Sequence, residues 1–296
     1  MNILLFGKNG QVGWELQRSL APLGDVIALD RHSQNYCGDF ENPEGIRETV
    51  RQLKPAVIVN ATAYTAVDKA ESEQEKAELI NATAVAALAE VAEEAEAWLV
   101  HYSTDYVFDG TGEAAWREND ATAPLNVYGK TKLAGEQAIA RHATRYLIFR
   151  TSWVYAAKGN NFAKTMVRLA QDREALSVIN DQFGAPTGAD LIADSTAHAI
   201  RTALTKPEVS GLYHLVASGT TSWHDYAKVV IEHVRGLGKE IKAQDIAAVP
   251  TSAFPTPAKR PGNSRLATEK FTQTFNLALP QWEAGVKRML DELYSA

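Results

Sequence analysis

The sequence is poor in cysteine, in long apolar runs and in net positive charge. Cys37 is the only cysteine among 296 residues, which excludes an intrachain disulfide and a metal site built from cysteines. No apolar stretch approaches the roughly 18 residues of a membrane-spanning helix, and the first residues lack the basic segment of a secretory signal. These absences predict a cytoplasmic protein that does not enter a membrane.

Charge and composition narrow the functional classes further. The formal net charge of −6 and a pI near 5.7 argue against a nucleic-acid-binding surface, so any nucleotide must bind at a local site. The seven histidines form no His-Glu-x-x-His pattern of a zinc protease. An apolar content of 45% is ample for a packed core in one large domain or two smaller ones.

The N-terminal segment has the order of strand, glycine turn and helix that a dinucleotide site requires. An apolar run ends at Phe6, glycines follow at Gly7, Gly10 and Gly13, and an amphipathic helical pattern comes next. Glycine lets the backbone turn tightly beside a pyrophosphate, and the helix N-terminus attracts the anion. The Gly-x-x-Gly-x-x-Gly spacing is similar to that of extended short-chain dehydrogenases.

Acidic residues follow the next two segments. Asp30 ends a second apolar run, where a carboxylate is expected to bind the adenosine ribose of NADH. Arg31 comes directly after it, and a guanidinium there suits the additional phosphate of NADPH. The sequence therefore permits either cofactor. Asp39 has two possible interpretations, as a loop carboxylate without a ligand and as a contact to adenine.

Tyr128 and Lys132 place a phenol and an ammonium one turn apart on the same face of a predicted helix. A nearby cation favours the phenolate, so Lys132 is expected to lower the tyrosine pKa from its usual value of about 10. Thr104 and Asp105 directly follow an apolar run, where the end of a strand brings polar groups to a cleft. These residues predict a proton-transfer site beside a nucleotide cofactor.

Strand-like and helix-like patterns alternate through the first half of the chain. Strands are predicted at residues 4–6, 26–29, 56–60, 99–102 and 146–149, and helices at residues 13–23, 45–53, 68–97 and 128–142. This alternation predicts an α/β fold with a Rossmann-type, doubly wound parallel sheet that helices cover on both faces. We place this dinucleotide-binding domain at residues 1–150.

The pattern loosens in the second half. Residues 176–180 and 211–216 are predicted strands, residues 223–235 and 281–294 are predicted helices, and residues 248–263 form a proline-containing loop of the kind that binds ligands. We interpret residues 151–296 mainly as a smaller mixed α/β substrate-binding domain, from which some segments return to the first sheet.

Together these segments resemble the dTDP-4-dehydrorhamnose reductases, a family of extended short-chain dehydrogenases/reductases. Besides the glycine turn and the Tyr128/Lys132 pair, residues 60–71, 103–110 and 260–264 carry the resemblance, which covers nearly the whole chain. It implies reduction of the C4 ketone of dTDP-4-dehydro-L-rhamnose by NADPH or NADH. That reaction is the last step in making activated rhamnose for cell-surface polysaccharide.

The resemblance also implies a role for individual residues. Tyr128 would donate the proton, Lys132 would lower its pKa and bind the nicotinamide ribose, and Thr104 would orient the ketone. The implied cofactor contacts are Gly7, Gly10, Gln11, Val12, Gly13, Asp30, Arg31, Asp39, Phe40, Ala63, Tyr64, Thr65, Tyr128 and Lys132. The implied substrate contacts are Thr104, Asp105, Trp153, Trp223 and Arg260. From the residues alone, the two tryptophans also suit a core, and Arg260 also suits an exposed surface.

Other expectations concern assembly and the alternatives to this function. The resemblance implies a homodimer and a structural Mg²⁺ ion, whose ligands the sequence does not identify. One alternative is another nucleotide-sugar reductase or an epimerase of the same superfamily. Another is a regulatory subunit that binds a nucleotide without catalysis, which the intact Tyr128, Lys132 and Thr104 argue against.

Overall fold

The computed structural model describes residues 1–295 and contains alternating strands and helices. The strands are β1 (Asn2–Phe6), β2 (Asp25–Leu29), β3 (Val57–Asn60), β4 (Trp98–Thr104), β5 (Tyr146–Thr151), β6 (Val154–Tyr155), β7 (Ala175–Ile179), β8 (Phe183–Gly184), β9 (Thr187–Gly188), β10 (Gly211–His214), β11 (Thr221–Ser222) and β12 (Asp245–Val249). The α-helices are α1 (Gln11–Leu20), α2 (Pro43–Leu53), α3 (Val67–Ala70), α4 (Gln74–Glu78), α5 (Ala84–Glu94), α6 (Val127–His142), α7 (Phe162–Asp172), α8 (Ala189–Ala203), α9 (Trp223–Gly236), α10 (Glu269–Phe275) and α11 (Trp282–Tyr294).

A parallel sheet of six strands is the largest in the described residues, with the order β10-β5-β4-β3-β1-β2. All of its strand pairings are parallel. The chain runs outward from β1 to β2 and then crosses to β3 on the other side of β1. This change of direction makes a switch point, where the carboxyl ends of the strands border a ligand-binding crevice. The predicted Rossmann-type sheet is present.

The two faces of the sheet are both buried, because side chains alternate along each strand. Ile3 and Leu5 of β1 face a core that includes residues of α1 and α8. Leu4 and Phe6 face the opposite core, which includes residues of α2, α5 and α6. The apolar run at the N-terminus therefore forms a fully covered central strand, as the doubly wound prediction requires.

The second half of the chain builds a smaller core and also completes the first. Helices α7, α9 and α11 pack around the parallel pair of β7 and β12. In contrast, β10 pairs with β5, and α8 packs on α1, so these later segments return to the first sheet as predicted. The division near residue 150 stays a prediction.

The prediction of one helix over residues 68–97 is wrong. The chain there forms α3, α4, a π turn at Leu79–Thr83 and then α5. Within the π turn, Asn81 accepts a hydrogen bond from the backbone N–H of Tyr64 at 2.8 Å and donates one to its carbonyl oxygen at 3.1 Å. Such a turn rotates side chains relative to a regular helix, and here it brings Asn81 to a loop beside the sheet.

Two further expectations concern the bounds of a loop and the lack of a membrane-spanning helix. The predicted loop at residues 248–263 begins inside β12, which extends to Val249. No helix within residues 1–295 combines the length and the apolar character needed to cross a bilayer.

Candidate active site

The glycine turn between β1 and α1 is a close backbone crossing. Gly7 has a φ of +90°, and a Cβ atom there would lie 2.8 Å from the backbone carbon and oxygen of Ala61. A Cβ atom on Gly13 would lie 2.0 Å from the carbonyl oxygen of Gly7. Side chains are therefore excluded where a pyrophosphate must approach the backbone.

The N-terminus of α1 supplies backbone donors next to this turn. Gly10 precedes the helix and provides no side-chain cap. Gln11 and Val12 form the first turn, but the amide oxygen of Gln11 accepts a hydrogen bond from Asn161 at 3.3 Å, and Val12 packs against the core. If Gln11 and Val12 bind the cofactor as predicted, their backbone N–H groups are the atoms suited to do so.

A cavity of about 250 Å³ at the carboxyl end of β1 and β2 joins residues from several distant segments. Its lining includes Gly7, Asn9, Gly10, Asp30, Arg31, Gly38, Asp39, Phe40, Glu41, Ala61, Thr62, Ala63 and Ile80. Seven of the predicted cofactor residues are in this set. The structure therefore brings together glycine, acidic and loop residues that are up to 56 positions apart, from Gly7 to Ala63.

Asp30 and Arg31 lie side by side at this cavity. The carboxylate of Asp30 accepts hydrogen bonds from the Ser33 hydroxyl and the His32 N–H, each at 3.0 Å. Burial works to raise the pKa of Asp30, but these hydrogen bonds outweigh it and hold the pKa below its usual value. The Arg31 guanidinium is exposed, and its Nε donates to His32 at 3.2 Å.

The three predicted cofactor residues in the loop after β3 have different surroundings. Ala63 lines the cavity, whereas Thr65 is exposed. The Tyr64 ring is buried in the core, and its hydroxyl donates to Glu73 at 2.7 Å. With its backbone bound by Asn81, Tyr64 anchors the loop that carries Ala63.

Helix α6 begins where it does because Asn126 caps it. The Asn126 side chain accepts a hydrogen bond from the N–H of Gly129 at 2.8 Å. Gly129 and Gly135 allow α6 to approach its neighbours closely. A Cβ atom on Gly129 would lie 2.2 Å from the carbonyl oxygen of Tyr106, and one on Gly135 would lie 2.3 Å from that of Asn81. These contacts set the position of the first turn of α6.

Tyr128 lies in that first turn, with its half-buried ring 5.7 Å from the Tyr106 ring in an edge-to-face arrangement. Burial raises the pKa of Tyr128 to about 12, against an opposing hydrogen bond with Thr104. The expected lowering of this pKa by Lys132 is not found. A raised pKa keeps the phenol protonated, which is the state that a proton donor to a ketone needs.

Lys132 lies one turn further along α6 and is 2% exposed. Its Nζ lies 2.5 Å from the backbone oxygen of Tyr102 and 3.1 Å from Nε2 of His101. Burial lowers the pKa of Lys132 to about 8, with Glu136 acting in the opposite direction. Lys132 is thus bound to β4 through the Tyr102 carbonyl and His101 in this arrangement.

Thr104 and Asp105 complete the polar group at the end of β4. The Thr104 hydroxyl donates to the Asp105 carboxylate at 3.1 Å and accepts from the Tyr106 N–H at 3.2 Å. Burial raises the pKa of Asp105 to about 6, against opposing hydrogen bonds from Ser264 and Thr104. The structure thus brings Thr104, Asp105 and Tyr128 together, as the sequence predicted.

The predicted tryptophans form a stacked pair. The rings of Trp153 and Trp223 are 3.6 Å apart between centroids, at an angle of 14°. Trp223 also donates to Gln182 at 3.1 Å. A cavity of about 310 Å³ is lined by Tyr106, Phe162, Met166, Ser177, Val178, Ile179, Gln182, Trp223, Phe254 and Arg260. Trp223 faces this cavity directly, and Trp153 supports it by stacking.

Arg260 lines the same cavity but is already paired. Its guanidinium binds both carboxylate oxygens of Asp68, at 3.1 and 2.8 Å. The hydrogen bonds from Arg260 hold the pKa of Asp68 below its usual value, although burial acts against them. This ion pair joins the loop after β12 to α3, and so connects the two halves of the chain across the crevice.

Comparison with known proteins decides the family. The chain matches the family described as RmlD substrate binding domain over residues 1–295. It is 69% identical over 295 residues to the dTDP-4-dehydrorhamnose reductase of Salmonella typhimurium, an alignment that covers 100% of this chain and 99% of that protein. The chain belongs to the dTDP-4-dehydrorhamnose reductase family.

Solved structures of this family have the same fold. The crystal structure of a dTDP-4-dehydrorhamnose reductase from Clostridium acetobutylicum is 34% identical, with a TM-score of 0.89 and 99% of each chain covered. The reductase from Bacillus anthracis, in complex with NADP, is 34% identical with a TM-score of 0.88, covering 98% of this chain and 99% of that one. The predicted family and its Rossmann-type fold are confirmed.

Sequence reasoning missed several residues that the fold brings to the site. Asn60 contacts His101, and His101 contacts Lys132 in the buried sheet, whereas Tyr106, Phe162 and Gln182 line the cavity that includes Trp223 and Arg260. For Asn60 and His101 a signal was present, because each is a polar residue within an apolar strand. The residues of the second cavity lie on separate elements and share no local pattern.

A larger cavity lies elsewhere, and none of the predicted site residues lines it. It measures about 700 Å³, and its lining includes Glu15 of α1, Asp190 of α8 and Arg288 of α11. Among residues 1–295, no group of three or more His, Cys, Asp or Glu side chains is arranged to hold a metal ion. The family expectation of a structural Mg²⁺ ion stays a prediction.

Proposed function

We infer that this chain is an NAD(P)H-dependent oxidoreductase that reduces the C4 ketone of dTDP-4-dehydro-L-rhamnose to give dTDP-L-rhamnose. Family membership over the whole length is the observation that carries this conclusion. The product is the activated sugar from which rhamnose enters cell-surface polysaccharide. The turn suits a dinucleotide because its tight backbone path at Gly7 and Gly13 admits only glycine, so no side chain stands at these positions.

The residues at the end of β4 and the start of α6 suit the proton-transfer half of this reaction. The bound cofactor supplies a hydride to C4 of the sugar. We assign Tyr128 as the donor of the proton that the ketone oxygen takes up, since burial keeps its phenol protonated. Thr104, which is hydrogen-bonded to Tyr128, orients the same oxygen. Lys132 in its ammonium form stabilises the resulting phenolate and returns a proton to it.

The cavity at β1 and β2 suits the adenosine end of the cofactor. Asp30 is placed to accept hydrogen bonds from ribose hydroxyls, and Asp39 and Phe40 line the space for adenine. The exposed guanidinium of Arg31 lines the same cavity, and its charge suits the additional phosphate of NADPH. We therefore propose that both NADPH and NADH are used.

Replacement of Arg31 tests this assignment. In Arg31→Ala, we expect the KM for NADPH to rise about tenfold, because a charge-assisted pair with the phosphate is lost. The KM for NADH serves as the internal control and should change little. Steady-state kinetics with each cofactor measures both constants, and an unchanged NADPH constant would remove Arg31 from the account.

The cavity that includes Trp223 and Arg260 suits the dTDP portion of the substrate. The flat ring of Trp223, supported by Trp153, can stack with a base or a sugar. Arg260 can bind the diphosphate while Asp68 holds its guanidinium in place. Asp105, beside Thr104, is placed to contact the sugar hydroxyls.

The deciding experiment follows NADPH oxidation with dTDP-4-dehydro-L-rhamnose generated in situ, and identifies the sugar product. Substrate-dependent oxidation with dTDP-L-rhamnose as the product supports the proposal. An epimerase would interconvert sugars with no net consumption of cofactor. Cofactor binding without turnover of any 4-keto sugar nucleotide would instead favour a regulatory subunit.

We further propose a cytoplasmic homodimer that includes a structural rather than catalytic Mg²⁺ ion. A ketone reduction with a tyrosine proton donor has no chemical need of a metal. Measurement of the molecular mass in solution before and after chelation tests both points. Loss of the dimer on chelation would support a structural ion, and an unchanged mass would remove it.

A further inference from the structure

A chain of hydrogen bonds lies behind Lys132. The backbone N–H of Thr62 donates to Oδ1 of Asn60 at 2.9 Å, and Nδ2 of Asn60 lies 3.0 Å from Nδ1 of His101. Nε2 of His101 lies 3.1 Å from Nζ of Lys132, which also donates to the backbone oxygen of Tyr102. Asn60 and His101 are paired residues on β3 and β4, so the sheet itself sets their separation.

The direction of each hydrogen bond follows from the donors present. The N–H of Thr62 can only donate, so Asn60 turns its oxygen to Thr62 and its NH₂ group to His101. Nδ1 of His101 therefore accepts. A neutral imidazole carries one proton, which must then be on Nε2. That N–H points at Nζ of Lys132.

His101 is neutral in this environment. It is fully buried in the sheet. Burial is the largest cause that lowers the pKa of His101 well below its usual value. A doubly protonated imidazole is therefore excluded, and the proton stays on Nε2.

We propose that Asn60 and His101 are positioning residues that favour the uncharged amine of Lys132, which on the alkaline side of neutrality accepts a hydrogen bond from His101 until dinucleotide binding converts it to the ammonium form. The inference rests on the proposed function in one respect, the assignment of Lys132 to the cofactor and to Tyr128. Binding of the dinucleotide is then coupled to the uptake of one proton by Lys132.

The groups around Lys132 are consistent with this state. His101 and the Tyr102 carbonyl face it from β4, and Glu136 and Tyr128 are on its own helix. Glu136 is bound by Arg150 of β5 through two hydrogen bonds, at 2.9 and 2.6 Å, so its charge is already paired. Burial lowers the pKa of Lys132 to about 8, and the N–H of His101 adds a further preference for the uncharged amine.

This state has a consequence for catalysis. Only the ammonium form of Lys132 can return a proton to the phenolate of Tyr128 after reduction of the ketone. The negative pyrophosphate of the dinucleotide favours that form by charge attraction. On the alkaline side of neutrality, Asn60 and His101 thus make the active protonation state of Lys132 depend on the presence of the cofactor.

The test is the pH dependence of NADH binding, since NADH lacks the additional phosphate of NADPH, which titrates near neutrality. The dissociation constant is measured by fluorescence from about pH 6.5 to about pH 9.5, on either side of the expected titration. For the wild type, we expect constant affinity at low pH and then about a tenfold loss per pH unit above a bend. Lys132→Met should remove the bend.

Two substitutions should move the bend upward by about one pH unit or more. In His101→Gln, the carboxamide oxygen can face Lys132 and accept from its ammonium. In Asn60→Asp, the carboxylate draws the imidazole proton to Nδ1, which leaves the lone pair of Nε2 for Lys132. His214→Gln is the matched control, because His214 is an equally buried histidine on β10 that does not contact Lys132.

A second measurement does not depend on any variant. Calorimetry of NADH binding near pH 8.5, in two buffers of different ionisation enthalpy, counts the protons taken up, and we expect uptake of up to about one. Absence of uptake, or a bend that neither His101→Gln nor Asn60→Asp moves, would overturn the inference. Failure of the proposed function would look different, as intact NADH binding without turnover of the sugar.

Discussion

At the scale of single residues, burial decides the protonation states on which the chemistry depends. Tyr128 and Asp105 are both made harder to ionise by burial, with pKa values of about 12 and about 6. Lys132 is made easier to deprotonate, with a pKa of about 8. The same physical cause acts in opposite directions on acids and on a base, because it always disfavours the charged form.

Tyr128→Phe should separate catalysis from binding. Without the phenolic proton, we expect turnover to fall by about 10²- to 10⁴-fold, while NADPH affinity stays close to that of the wild type. Steady-state kinetics and a fluorescence titration measure the two quantities. Tyr213→Phe is the control, since the Tyr213 hydroxyl donates to the backbone oxygen of Val209 on the other face of the sheet. Wild-type turnover in Tyr128→Phe would refute the assignment of the proton donor.

Asp105→Asn should change how stability depends on pH. The folded-state pKa of Asp105, about 6, lies above its unfolded value, so the folded state binds the proton more tightly. The wild type therefore loses stability as the pH rises from about 4, the unfolded pKa, through the folded pKa of about 6. Above that range no further stability is lost. We expect the variant to gain about 1 kcal/mol relative to the wild type between about pH 5 and about pH 7. Urea unfolding at both pH values checks this, and a constant difference would contradict it.

At the scale of elements, close packing of α6 sets the geometry of the site. Gly129 and Gly135 let this helix touch the backbone of the segments that hold Tyr106 and Asn81. The π turn contributes to the same arrangement, because Asn81 binds both Tyr64 and the Thr131 hydroxyl of α6. A change in the distance of α6 from its neighbours is therefore transmitted to Tyr128 and to the cofactor loop.

Gly135→Ala tests this packing. The added Cβ would lie 2.3 Å from the carbonyl oxygen of Asn81, so we expect a loss of about 1–3 kcal/mol in the free energy of unfolding, together with weaker cofactor binding. Gly236→Ala is the matched control, because no atom lies within 4 Å of a Cβ atom at that helical glycine. Urea unfolding and NADPH titration of both variants provide the comparison. Equal stabilities would show that α6 can shift without cost.

At the scale of the whole molecule, the two halves of the chain depend on each other. The later segments β10 and α8 cover β5 and α1, and the Arg260–Asp68 ion pair closes the opposite side of the crevice. The cofactor cavity is built by the first half and the second cavity mainly by the later one. We propose that the cofactor and the sugar nucleotide meet where these halves join.

A fragment of residues 1–150 should therefore not form a stable domain. Without β10 and α8, the edge of β5 and the apolar face of α1, including Leu16 and Leu20, would be exposed to water. We expect little near-UV circular dichroism and rapid proteolysis, compared with the full chain under the same conditions. A fragment that resists protease and unfolds cooperatively would show that the first sheet does not need the later segments.

Much of the fold could be predicted because its signals are local. The alternation of apolar strands and amphipathic helices, the glycine turn and the Tyr128/Lys132 spacing are all read from neighbouring residues. The prediction of a single helix over residues 68–97 was wrong because the interruption depends on residues distant in the chain. Asn81 leaves the regular helix to bind a loop and Thr131, and neither partner is visible from the helical pattern.

The sequence by itself determined the fold class, the glycine turn and the candidates for the reacting groups, since these depend on residue type and on short spacings. Only the tertiary structure decided what surrounds those groups. It placed Lys132 against His101, bonded His101 to Asn60, paired Arg260 with Asp68, and buried Tyr128. Burial and hydrogen-bond partners come from residues far apart in the chain. They set the pKa values of a site and decide which of its polar groups remain available to a ligand.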